Sequence, residues 1–487
     1  MRHPRFAPIA RRLRRIALGP IALLPAHALA MPVAATDPAP TTLAMADTPI
    51  LPDPDPAGST AFPQSTGSML DGGHGARHWA VFGQSTFTVM TPLGFRDPYE
   101  GPQSLAPHDT RETFDATVYI GVRPWSGGEI WTTGEIDQGF GIGNTHGLAG
   151  YASGEADKLG KADPYTRLQR LFVRQTFSLG GAVSDVEAAP NQMPGRQSAN
   201  RLVITVGKFS MPDIFDTNRY AHDPRGDFLN WTLIDSGAFD YAGDPWGFTY
   251  GAASELYVGA WTTRLGVFAM TDMPGGLAPA TDFSFYQAIG ELEHRHALRD
   301  HPGAIRVALW MSHGRMGLYT DALTWGVANG VAPDLTQVQN AGHNRFGGYV
   351  NAEQEVTGNL GLFLRASKAD GRYASWDFTD VDASVSGGLS LAGKGWGRAA
   401  DTFNLGIIVN TISKQAQRYF AAGGMGILVG DGVLPNAGAE QIVEASYTWH
   451  PTAKIAVTFD AQGVVNPAYN RDRGPVGIVG LRFHAAI

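Results

Sequence analysis

The residues best equipped for chemistry stand at alternate positions, where the two-residue period of a β-strand gathers them on one face. The odd positions Glu129, Trp131, Thr133, Glu135 and Asp137 set carboxylates and an indole side by side. Farther along, Arg170, Phe172, Arg174 and Thr176 share a face, with Leu171 and Val173 opposite. Asp115 lies on the polar side of another alternating stretch, with Thr113, Thr117 and Tyr119. Facing carboxylates and arginines on neighbouring antiparallel strands form a stabilising ion-pair ladder. The same groups also suit a polar lining that replaces part of a solute's hydration shell. Charged groups bond hydroxyls strongly, and an aromatic face fits the apolar side of a sugar ring. The sequence leaves both readings open.

Other motifs carry less. Gly423-Gly424-Met425-Gly426 and Gly430-Asp431-Gly432 are glycine-rich, but no Lys-Ser/Thr follows and no βαβ pattern surrounds them, so they read as a loop. His294, His296 and His301 fall at a strand end and short turn, where exposed polar residues are expected rather than a zinc site. Neither His-Glu-x-x-His nor Gly-x-Ser-x-Gly occurs, and the chain has no cysteine, which excludes a disulfide scaffold and a thiolate site. No catalytic residue, cofactor or resident metal is expected, and the chain does not read as an enzyme.

The elements that position these faces are strands. Glycine contributes 61 of 487 residues, against roughly 7% in ordinary soluble domains, which argues against a helical bundle. From Arg111 to Arg123 the even positions Phe114, Ala116, Val118, Ile120 and Val122 are apolar and the odd ones mostly polar. The pattern recurs in Ile305, Val307, Leu309 and Met311, in Val381 to Leu391, in Ile455 to Ala461, and in Val479 to Ile487. Sixteen such segments are expected at about 78–90, 111–123, 129–140, 167–178, 201–209, 246–258, 261–270, 285–295, 304–316, 345–355, 359–368, 379–391, 401–410, 441–449, 454–464 and 476–487. Links after odd-numbered segments are long and those after even-numbered ones short, apart from 179–200. That alternation, with Trp79, Trp261, Tyr447 and Trp449 near segment ends, is the signature of a transmembrane antiparallel β-barrel with long extracellular loops and mostly short periplasmic turns.

The N-terminus sets the compartment. Six arginines without an acid precede the apolar stretch Ile16 to Leu24 and Ala28-Leu29-Ala30, as in a cleavable signal peptide over 1–30. Its removal would deepen the net charge from −8 to about −14, which disfavours nucleic acid as a partner. Residues 31–75, rich in Pro, Ala and Thr, read as a flexible leader too short and polar for a plug, and 76–487 as the barrel. The longest link, 210–245, holds Asp213, Asp216, Arg219, Arg225 and Trp231 among other charges and aromatics. A channel this wide needs a constriction. Folded inward, the link would supply one, with Asp213, Asp216 and Arg219 forming a field across the pore.

The chain resembles the carbohydrate-selective porins of the OprB type from about Val81 to Ile487. The resemblance is carried by Val206-Gly207-Lys208-Phe209, Asp213-Ile214-Phe215-Asp216, Asp227-Phe228-Leu229-Asn230-Trp231, Glu444-Ala445-Ser446-Tyr447 and the run Asn466 to Pro475. It implies a sixteen-stranded barrel in the Gram-negative outer membrane, surrounded by lipid, that admits small sugars by passive or facilitated diffusion. Gly139-Phe140-Gly141 after Glu135-Ile136-Asp137-Gln138 also resembles a branch that includes manganese porins, so divalent cations are the alternative solute. An exported all-β binding protein or adhesin is the alternative from another class. A homo-oligomer is compatible with all of this. The chain departs from many barrels in ending on Ile487, with Phe483 four residues earlier.

Overall fold

Alternation along each segment forces edge-to-edge pairing, because a strand with one greasy and one polar face satisfies its backbone only in a sheet. The computed structural model describes residues 78–156, 160–339 and 342–487. The expected signal segment 1–30 and leader 31–75 lie outside the described residues. Sixteen strands close into one antiparallel barrel in which every strand pairs with its neighbours in sequence, and β1 pairs with β16. They are β1 Trp79–Pro92, β2 Arg111–Val122, β3 Gly128–Gly139, β4 Lys161–Val186, β5 Gly195–Phe209, β6 Thr249–Val258, β7 Trp261–Ala269 and β8 Tyr286–Leu298. There follow β9 His301–Gly314, β10 His343–Thr357, β11 Leu360–Ala369, β12 Ala383–Ala392, β13 Thr402–Thr411, β14 Glu440–Thr452, β15 Ile455–Val465 and β16 Val476–Ala486. The closing seam runs from Gln84 opposite Ala486 to Pro92 opposite Ile478. Ile487 extends it by exchanging two backbone hydrogen bonds with Gly83.

Each expected segment overlaps a strand, and three of the differences at the edges have a visible cause. The expected link 179–200 is mostly strand: β4 and β5 continue past the rest of the wall as a two-stranded arm, leaving only 187–194 as the connection. Trp246 stays outside β6 because its backbone N–H is held by Asp244. Val381 is fully buried among loop residues, so β12 begins only at Ala383.

The outward faces carry Val118, Ile120, Leu171, Val173, Leu309 and Ile407, all exposed. Trp79, Trp125, Trp261, Trp396 and Trp449 are exposed in or beside the short links, where an indole suits a membrane interface. Among the described residues no helix is long and apolar enough to cross a membrane.

The inward faces carry a ladder of buried charge across five strands. Arg264 on β7 reaches Glu255 on β6 at 3.2 Å and Glu291 and Glu293 on β8 at 2.7 and 3.1 Å. Arg306 on β9 continues it, 2.8 Å from Glu293 and 3.2 Å from Glu353 on β10. Arg306 is 1% exposed, so removing it strands the buried Glu353 and leaves Glu293 to Arg264. Arg306→Ala should destabilise the barrel by about 3–5 kcal/mol, as expected when one partner of a buried ion pair is lost. Val307→Ala, on the outward face, should cost far less. The midpoints of denaturant unfolding in detergent compare the two.

Candidate functional site

A cylinder of sixteen strands is too wide for its inward side chains to meet, and the long links occupy the space. The chain from Ser210 to Phe248, between β5 and β6, crosses the lumen. It starts at β4, where Arg170 grips Asp213 with two bonds of 2.8 and 2.5 Å, while Asp213 also accepts from the Ser210 N–H. At Asp216 it meets the opposite wall: the carboxylate takes Arg365 of β11 at 3.2 Å and Asn351 of β10 at 2.7 Å. The Asp216 N–H donates to Glu291 of β8, and the Arg219 N–H donates to Glu353 of β10. The segment then returns. Arg225 lies 3.3 Å from Asp115 on β2, 3.2 Å from Glu135 on β3 and 3.3 Å from Glu155 in the link before β4. The N–H groups of Leu229 and Asn230 donate to Glu444 of β14 at 2.7 and 2.9 Å. Burial pushes the Glu155 carboxyl well above the usual carboxylate range, against the pull of Arg225.

Between this segment and the wall of β1, β2, β4, β5 and β16 lies a cavity of about 310 Å³. Its lining pairs guanidinium groups with rings. Arg170 stands 4.8 Å from the Phe248 ring centre and Arg174 5.1 Å from that of Phe172. Trp231 adds its indole, stacked on Tyr151 with ring centres 5.6 Å apart and planes 6° from parallel. The Asn230 side chain accepts from the Thr232 N–H, which fixes the short helical turn that presents Trp231.

Of the residues singled out from the sequence, Arg170, Arg174, Asp213 and Trp231 line the cavity. Asp115 and Glu135 are buried behind it and reach it through Arg225. Trp131 is fully buried, lying flat against Gly121, its partner across β2 and β3, and donating to Glu129 at 3.0 Å. A Cβ on Gly121 would sit 2.6 Å from that indole, so the wall has no room for a larger residue there. Glu129 in turn lies 3.0 Å from Arg123 and 3.7 Å from Arg174. Asp137 is buried on the same face of β3.

Two expectations take a more specific form. Asp213, Asp216 and Arg219 do not stand alone in the pore: each faces an opposite wall charge, Arg170, Arg365, and Glu355 at 3.6 Å. The ion-pair ladder expected between the facing sides of β3 and β4 has a rung at Glu129 and Arg174, 3.7 Å apart, but Glu135 and Arg170 do not join it. The loop's own Arg225 and Asp213 claim them separately. Sequence reasoning missed Arg225 as the centre of a carboxylate cluster, and Tyr151 and Phe248 as platform residues. Loop residues carry no periodicity that would reveal their partners. The ladder of Glu255, Arg264, Glu293, Arg306 and Glu353 was within reach, since all occupy inward positions of alternating strands.

Residues 103–486 match the family described as carbohydrate-selective porin, OprB family. The chain belongs to that family. No curated protein sequence matches it. Among solved structures it is similar to OprB of Pseudomonas putida in a high-pH structure, with 15% identity, 84% of this chain and 94% of that one covered, and a TM-score of 0.64. It also aligns with the outer membrane channel DcaP of Acinetobacter baumannii at 12% identity, covering 86% and 100% of the two chains with a TM-score of 0.45. This OprB-family porin is thus a transmembrane barrel of the Gram-negative outer membrane.

The Arg170–Asp213 pair gives a direct test of the lumen's charge balance. Asp213→Asn keeps an acceptor for the Ser210 N–H but leaves Arg170, which cannot lose its proton, without its counter-charge. Reversal potentials in a salt gradient should shift several-fold in permeability ratio toward anions. An unchanged ratio in a folded barrel would place the ion path away from Arg170.

Proposed function

We propose that this porin passes small neutral sugars by diffusion down their gradient, without ATP or a bound cofactor. The carrying observation is a cavity in which charged groups are ion-paired and stand against aromatic faces. Arg170 is matched by Asp213, and Arg225 by Asp115, Glu135 and Glu155. Such a lining offers hydrogen bonds to hydroxyls, while its opposing charges largely cancel at a distance. The rings of Phe172, Phe248 and Trp231 suit the apolar face of a pyranose. The same balance speaks against divalent cations as the principal solute. A bare cation needs carboxylates not already engaged, and Glu129, Glu135 and Asp213 each face an arginine. In this reading the long links face outward from the cell, the short ones face the periplasm, and lipid covers the apolar outer faces.

Planar-bilayer conductance of the refolded barrel, titrated with glucose and then with manganese chloride, tests the reading. Saturable block by glucose is expected, with manganese carrying current no better than other cations. Cation-selective current indifferent to glucose would contradict it.

A further inference from the structure

The hairpin of β4 and β5 leaves the wall beyond Ser178. Its neighbours stop there: β3 starts at Gly128, opposite Gln175, and β6 pairs with β5 only as far as Tyr257 opposite Arg201. A straight arm from Ser178 to Val186 would carry its end about 26 Å past the rim, at ~3.3 Å per residue. The tip instead returns inside the barrel. Arg174 donates to the Asn191 carbonyl at 2.7 Å, and the Thr133 hydroxyl lies 3.5 Å from the Asn191 side chain. Arg123 donates to the Pro194 carbonyl at 2.7 Å, and Met193 is buried among core side chains. Ala188, Ala189, Pro190 and Asn191 line the same cavity as Arg170 and Asp213.

The arm bends where its register slips twice, between Ser178 and Gly180 and between Gly180 and Val183. Gly180 and Gly181 there take φ of +92° and +87°, open to glycine and strained for other residues. A Cβ on Gly180 would touch nothing within 4 Å, so backbone conformation rather than crowding calls for glycine.

We propose that residues 179–200 form a lid that closes the cavity at the short-link end of the barrel, hinged at Gly180–Gly181 and latched by Arg174 and Arg123. The arm pairs only with itself, and its strand residues Leu179 and Val183 are exposed. Two guanidinium bonds to tip carbonyls and the buried side chain of Met193 therefore hold the tip, and an element held at so few points opens well below the global unfolding energy. Arg174 also faces the cavity, so a solute hydroxyl that takes its N–H competes with the latch. Only that competition rests on the sugar reading; the lid stands without it.

Because the chain has no cysteine, Thr133→Cys with Asn191→Cys introduces a single thiol pair across the closure. Oxidised after refolding, it should lower single-channel conductance several-fold, and a reductant should restore it. Arg174→Gln alone should lengthen the open time. The lid is overturned if the cross-linked barrel conducts like the reduced one, or if the pair fails to oxidise in a folded, conducting barrel. An unchanged open time in Arg174→Gln overturns the latch. Glucose block of the unmodified protein is read separately, so loss of the lid and loss of the sugar reading are distinguishable.

Discussion

The structure depends on one geometric constraint: a cylinder of sixteen strands encloses more space than its inward side chains can fill. Its inward faces nevertheless carry arginines and carboxylates that are nearly dry. Charges in that setting persist only when paired and fully bonded. Two kinds of partner meet the demand. Along β6 to β10 the wall satisfies itself, through the ladder from Glu255 to Glu353. Elsewhere the chain between β5 and β6 supplies the counter-charges, with Asp213 for Arg170, Asp216 for Arg365 and Arg225 for Asp115 and Glu135. Wall and inward segment are therefore electrostatic complements, and the shape of the lumen follows from their pairing.

That division explains what the sequence reveals. All sixteen strands are legible because lipid on one side and lumen on the other impose the same alternation on every one. The eventual pairing of Glu255 with Arg264 could be read in the same way, since partners in adjacent strands face each other at fixed register. The partners of Asp216 and Arg225 could not. They meet strands more than a hundred residues away in one case and about ninety or more in the other, through bonds that no period encodes. The arm beyond Ser178 was hidden for a related reason: its strands have no lipid-facing side, so their pattern weakens where the wall ends.

For function, the consequence is a lumen rich in charge in which Arg170, Arg225 and Arg365 are ion-paired where wall and inward segment meet. Pairing with the inward segment for Arg170, and with the neighbouring strand for Arg174, leaves guanidinium groups facing the cavity beside aromatic rings. Such a surface recognises hydroxyls at hydrogen-bonding range without a strong long-range pull on ions. On the proposed sugar reading, selectivity comes from the width left by the inward segment and from the orientation of these few groups.

We propose that the segment between β5 and β6, which crosses the lumen, sets the constriction. Deleting Thr217 to Asp235 and recording single channels from the folded barrel tests it most directly. Conductance should rise several-fold and glucose should cease to block. Unchanged conductance with glucose block intact would contradict the account, because the narrow part of the pore would then lie elsewhere.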